Sequence, residues 1–172
     1  STTANERLRS DFEVFGFFHN PNIHPEAEYR KRLSEAQKVA REMAFPLLAP
    51  AYDPDSWNRA VKGLEREPEK GDRCAVCFRL NLRAAARKAQ EMGLPFFTTT
   101  LTISPHKDTE RILGIGRDAG AEFGVSFLEE NFKKRDGFNR SLELSRELGL
   151  YRQNYCGCRY SRREDPSGAG TP

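Results

Sequence analysis

Four cysteines stand in two close pairs. Cys74 and Cys77 form a Cys-x-x-Cys in GDRCAVC, and Cys156 and Cys158 form a Cys-Gly-Cys in YRQNYCGCRYSRR. Thiolates are nucleophiles, metal ligands and reversible stores of two electrons, so both pairs can do chemistry. Cys74 and Cys77 fall at the start of a predicted helix. A spacing of three puts both sulfurs on one side of it, and the positive end of the helix dipole favours thiolate over thiol. Three uses are open to that pair: half a zinc site, half an iron–sulfur site, or a dithiol redox couple. Oxidation of Cys156 and Cys158 would close an unusually small ring, giving a strained and easily reduced disulfide. Gly157 between them allows backbone angles that another residue resists. All four sulfurs together would be enough for a closed tetrahedral zinc site.

Rings and charges crowd the second pair. Tyr151, Tyr155 and Tyr160 alternate with Arg152, Arg159, Arg162 and Arg163, and a further basic run is Lys133, Lys134 and Arg135. Cations clamp phosphates, and a tyrosine face accepts an unpaired base. Lys133, Lys134, Arg135, Arg152, Tyr155, Arg159, Arg162 and Arg163 are therefore the candidate RNA contacts. His19, His24 and His106 all fall in predicted loops. Tyr29 follows the first of these loops and could project toward the same edge as a proton donor.

The elements that must hold these residues alternate. A helix opens the sequence, with Ser1, Thr2 or Thr3 as its cap. Strands are predicted at Phe12–Phe18, Phe45–Ala49, Phe96–Ile103 and Val125–Leu128, the third being the richest in aromatic and β-branched residues. Helices are predicted at Pro25–Ala44, Asp53–Val61, Asp72–Met92, Asp108 or Thr109 to Phe123, and Phe138–Leu148. The helix from Pro25 has few apolar positions, so one face of it should be wet. This order implies an α/β fold with a mainly parallel sheet and flanking helices. Functional loops then gather at the carboxyl ends of the strands, which includes Asn20–Pro25 and Thr100–Lys107. Residues 1–163 read as a single domain and 164–172 as a disordered tail.

The 172 residues are 37% hydrophobic and 31% charged, with a formal charge of +3. No stretch is long and apolar enough to span a membrane, and the thiol spacing speaks for a reducing, cytoplasmic setting rather than a stapled secreted domain. Any nucleic-acid footprint must come from local clusters of cations, not from bulk charge.

Four segments, HNPNIHPEAEYRKR, EPEKGDRCAVCFRLNL, FTTTLTISPHKD and LGLYRQNYCGCRYS, resemble in order those of the cobalamin-independent epoxyqueuosine reductase family. The resemblance runs from about Phe15 to Ser161. It implies an α/β fold of the nucleotide-binding, adenine nucleotide alpha hydrolase-like type. It also implies reduction of epoxyqueuosine to queuosine at the wobble position of tRNA, an iron–sulfur (4Fe-4S) cluster, and an external electron donor. Cys74 and Cys77 match two of the family's cluster ligands, and Cys156 and Cys158 match its redox-active pair. The family's other two ligands come from a Cys-Cys-Gly-Pro-Cys loop after a first strand. That motif is absent here, and the expectation is that this sequence is a piece of a longer chain; completion of the cluster by Cys156 and Cys158 is the alternative. Loss of the epoxide oxygen needs an acid, for which Tyr29, His24, His106 and Asp108 are candidates. The competing reading from a different class is a non-catalytic RNA-binding domain with a structural four-cysteine zinc site. A nucleotide-dependent transferase would need a phosphate-binding glycine loop, and none is present.

Overall fold

The computed structural model describes residues 1–161; Arg162, Arg163 and the tail at 164–172 lie outside the described residues. The elements, in chain order, are α1 (Thr2–Leu8), β1 (Gly16–Phe17), α2 (Glu26–Glu42), β2 (Leu47–Leu48), α3 (Pro54–Ala60), α4 (Asp72–Glu91), β3 (Phe96–Phe97), α5 (Thr109–Phe123), β4 (Ser126–Phe127) and α6 (Gly137–Glu147). Short 3-10 turns occupy Thr100–Ile103 and Arg159–Ser161.

The strands pair in two parallel couples, each bridged by a helix. β1 joins β2 across α2, with Gly16 beside Leu47, and β3 joins β4 across α5, with Phe96 beside Ser126. The expected mainly parallel sheet is thus two separate two-stranded sheets among the described residues. The expected strand at Phe96–Ile103 is the clearest correction: only Phe96–Phe97 is paired as a strand. β-branched side chains favour a strand, but threonine hydroxyls also bond nearby backbone, and here that local option wins. Thr99 accepts from the Leu101 N–H at 3.2 Å, and the Thr102 hydroxyl donates to the Glu130 carbonyl at 2.7 Å. The chain therefore turns after two strand residues. Phe12–Phe18 likewise contracts to Gly16–Phe17.

The main core lies between α4 and α5. In α4, Ala75, Phe78, Leu82, Ala86 and Ala89 recur at helical spacing and are buried. They meet Ile112, Ile115 and Ala119 of α5, with Phe97 and Val125 from the strands. Asp108 starts α5 by accepting the Arg111 N–H at 3.1 Å, and Gly124 ends it in the left-handed region at φ 66°. A side chain at Gly116 would run into the Phe127 ring, so α5 can lie this close to β4 only because that position is glycine.

α1 docks on α6. Glu6 pairs with Arg140 at 2.8 Å, and Arg7 donates to the carbonyls of Lys134 at 2.6 Å and Arg135 at 3.2 Å. Ser1 stands at the cap position without a capping side-chain bond, and the Thr3 hydroxyl donates instead to the Gly137 carbonyl at 3.4 Å. No helix among the described residues is long and apolar enough to cross a membrane.

Candidate functional site: a buried sulfur cluster

One cysteine of the first pair, Cys77, meets both cysteines of the second. α3 carries Trp57 and Val61, which are fully buried, and Cys158 packs on them at 6% exposure. Cys77, Val76 and Leu80 of α4 close one side of this cluster and Cys156 another. Asp53 makes α3 possible, since its carboxylate accepts the Ser56 N–H at 3.1 Å and Pro54 fits the first turn. Cys74 lies one turn before Cys77 and leans toward the main core instead, its sulfur accepting the Lys70 N–H at 3.3 Å. Among the described residues, no three or more His, Cys, Asp and Glu side chains are grouped so as to hold a metal ion.

Cys77 reverses the expectation drawn from its place at a helix N-terminus. Burial pushes its thiol up to about 12, outweighing the Trp57 indole N–H and the Lys107 ammonium, which favour the thiolate. The Trp57 nitrogen makes no hydrogen bond of ordinary geometry. The Asn81 amide stands 3.7 Å from the same sulfur. Donors are thus turned toward a sulfur that stays protonated unless a cation takes its charge.

Cys156 and Cys158 are free thiols that divide their protons unequally. Donation from the Cys158 thiol, then from the Ser161 hydroxyl at 2.9 Å and the Cys158 N–H at 3.4 Å, holds Cys156 down at about 5 against burial. Its partner is pushed up by the same hydrogen bond between the sulfurs and by burial. Gly157 sits at φ 110°, and a Cβ there would stand 2.9 Å from Ile23 Cγ1. The tight loop therefore needs glycine for conformation and for space.

α2 holds this loop from outside. One face of it is wet as expected, with Glu26, Arg30, Ser34, Gln37 and Arg41 exposed at helical spacing, and residues 148–157 lie along another polar face through Glu28, Arg32, Glu35 and Lys38. The Tyr151 hydroxyl bonds Glu28 at 3.2 Å, the Tyr151 N–H bonds Glu35 at 3.1 Å, and the Lys31 ammonium sits 3.4 Å over the Tyr151 ring. Arg32 donates to the carbonyls of Tyr155 and Cys156. On the other side, His24 N–H donates to the Gly157 carbonyl at 2.8 Å, and the Tyr155 hydroxyl donates to the His24 carbonyl.

The other residues named from sequence fall in several places. His24 lies at the rim, with Arg159 Nη2 3.4 Å from its Nε2, and burial, then that arginine, lowers its pKa. Tyr29 is buried, stacked on Tyr52 at 4.2 Å, and lines a small cavity with His19 where β1 and β2 end. Burial raises its hydroxyl pKa. His106 is exposed, and Asp108 is engaged as the cap of α5. The residue between them, Lys107, faces the site: its ammonium lies 5.2 Å over the Phe78 ring and favours the thiolates of Cys77 and Cys156. Lys133, Lys134 and Arg135 mark the corner between α1 and α6, whereas Arg159 and Tyr155 border the sulfurs. Arg152 is exposed.

Sequence reasoning missed Arg32, Lys107, Arg73 and Ser161. Arg73 is 3% exposed, donates to the carbonyls of Leu64 and Glu65, and lies 5.1 Å from the Tyr160 ring centroid. The usable signal for Arg32 was a helix with too few apolar residues for a bare face. Lys107 sits inside a segment already singled out.

A model of the family described as epoxyqueuosine reductase QueH matches residues 1–164. The chain is 40% identical over 167 residues to the epoxyqueuosine reductase QueH of Streptococcus pyogenes serotype M1, covering 94% of this chain and 66% of that protein. It is 39% identical to the protein of the same name from Haemophilus influenzae over 91% of this chain and 64% of the other. For the Thermotoga maritima protein of that name the identity is 38%, over 84% of this chain and 77% of the other. The chain thus spans just under two thirds of the length of the first two of these relatives. It belongs to the epoxyqueuosine reductase QueH family.

Proposed function

We propose that this chain carries the reducing half of an epoxyqueuosine reductase acting on tRNA, with Cys156 and Cys158 as its redox-active pair. The observation that carries this reading is the packing of Cys77 with Cys156 and Cys158 in one buried cluster, with a low-pKa thiol at its edge. Conversion of an epoxide to an alkene takes up two electrons and two protons and releases water. With Cys156 already ionised, closure of the pair to a disulfide gives up two electrons and the one proton of Cys158, so one Cys156–Cys158 oxidation per turnover supplies both electrons, solvent supplies the second proton, and an external donor must restore the dithiol. Cys156 is the thiol held ionised, and Cys158 keeps its proton until the S–S bond forms. Lys107 balances the charge at Cys156.

Soft, poorly exposed thiols on successive turns suit iron, so Cys74 and Cys77 would hold part of a 4Fe-4S cluster, which when bound supplies single-electron transfer and an electron-accepting iron. The described side chains offer two of its ligands here. His24, neutral at pH 7 by its lowered pKa, is better placed than the exposed His106 to meet a substrate at this rim, and the burial of Tyr29 keeps its hydroxyl protonated as an acid needs. Arg159 and Tyr155 would contact the RNA beside the sulfurs, with Lys133, Lys134 and Arg135 reaching a more distant phosphate. The two helix-bridged parallel strand pairs support reading the fold as adenine nucleotide alpha hydrolase-like.

The test uses the full-length protein, loaded with iron and sulfide under anaerobic conditions and given tRNA containing epoxyqueuosine. Nucleoside mass spectrometry reads queuosine, and absorbance reads the cluster. Cys156→Ser and Cys158→Ser should each abolish turnover and leave the brown colour. Loss of colour in either variant would make those sulfurs ligands instead, and a colourless wild-type protein with one zinc would overturn the reductase reading.

A further inference from the structure

Arg32 uses all three of its guanidinium nitrogens. Nε donates to Glu28 Oε1 at 2.7 Å, Nη1 to the Cys156 carbonyl at 3.0 Å, and Nη2 to the Tyr155 carbonyl at 3.1 Å. The group also lies 5.1 Å from the Tyr155 ring centroid. Its side chain is 9% exposed and that of Glu28 is 13% exposed. A guanidinium this covered, aimed at two backbone carbonyls, is not a solvated surface charge. The opposite side of the loop is pinned by the His24 N–H at 2.8 Å from the Gly157 carbonyl. Between the two attachments the loop has one shape, in which the Cys158 N–H is directed at the Cys156 sulfur at 3.4 Å.

We propose that Arg32 is a positioning residue for the Cys156–Cys158 pair: its fork, laid across the carbonyls of Tyr155 and Cys156, holds the loop in the dithiol shape and so sets the balance between dithiol and disulfide. This rests on the reading of the pair as redox-active. With Cys156 ionised, oxidation breaks the S–H bond of Cys158, forms one S–S bond, and releases one proton and two electrons. The Cys156 carbonyl held by the fork belongs to a peptide inside the ring that a disulfide would close, so the clamp opposes ring closure until substrate takes the electrons. A lysine offers one ammonium in place of the fork and cannot span both carbonyls in the same way.

The experiment equilibrates the full-length protein in mixtures of reduced and oxidised dithiothreitol. There the reagent's own disulfide accepts the two electrons and becomes a dithiol. Samples are quenched in acid and alkylated, and the Cys156–Cys158 disulfide is read by mass spectrometry. Arg32→Met should move the equilibrium toward disulfide at least tenfold, about 30 mV for a two-electron couple. Arg32→Lys should fall between, by threefold or more, and it carries the test if the methionine variant does not fold. Arg30→Met removes an exposed arginine from the same helix, paired with Glu26, and should leave the midpoint at the wild-type value. Midpoints within twofold of wild type for both Arg32 variants, while the wild-type pair oxidises, would overturn the role of Arg32 and leave the redox reading standing. A wild-type pair that stays dithiol in every mixture would overturn the redox reading itself, and Arg32's role with it.

Discussion

Cys156 and Cys77 are both cysteines near the same cluster, yet their environments pull their protons in opposite directions. Three donors converge on Cys156, whereas Cys77 is enclosed by hydrocarbon and aromatic surface. A lowered pKa means that the reactive thiolate is present at lower pH. In the metal-free chain, alkylation of Cys156 by iodoacetamide should therefore rise with a midpoint near pH 5 and be flat from pH 6.5 to 8, where an ordinary thiol of pKa about 8.5 is still climbing. Cys77, pushed up to about 12, should stay unmodified over that range. Peptide mass spectrometry of a pH series reads both rates. A Cys156 rate that keeps climbing through pH 8 would mean that the three donors do not act on it in solution. This difference could not be seen in sequence, because a helix N-terminus and a glycine-spaced pair both suggest activation. Which thiol is activated depends on the burial of Cys77 and on the approach of Cys158 and Ser161 to Cys156, both of which come only with folding.

At the scale of elements, α4 and α5 were legible almost to the residue, because their apolar spacing, the Asp108 cap and the stops at Gly93 and Gly124 all act locally. The strand at Phe96–Ile103 was misread because its threonines bond locally and to Glu130, a partner no local pattern reveals. α2 was found with its wet face, but a second polar stripe that carries the chain after α6 was not, since a charged stripe looks the same whether it meets water or another stretch of chain. There Glu28, Arg32 and Tyr151 form a chain of bonds between α2 and residues 151–157. Glu28→Ala removes the one carboxylate facing Arg32 and leaves a covered cation. It should cost about 3 kcal/mol in urea unfolding, against less than 1 kcal/mol for Glu26→Ala in the exposed pair one turn away. Equal costs would mean that the strap is loose in solution.

Across the whole molecule, the charges proposed to meet RNA lie in two groups, one bordering the sulfurs and one at the corner where α1 meets α6. Arg159→Ala should weaken tRNA binding and lower the slope of log affinity against log salt by about one, as loss of a single phosphate contact does. The same result is expected for Lys133→Ala if one nucleic acid spans both groups, and filter binding over a salt series measures both. An unchanged slope for Lys133→Ala would confine the contact to the sulfur side.

The docking of α1 has a consequence for synthesis. Its partners Gly137 and Arg140 follow it by 134 residues in the bonds from Thr3 and Glu6. At cellular elongation rates of roughly 5–20 residues per second, α1 waits about 7–27 s after emerging from the ribosome before that surface exists. A seven-residue helix does not hold its shape alone for that long. Among the described residues, the contact between α1 and α6 is therefore one of the last to form during synthesis.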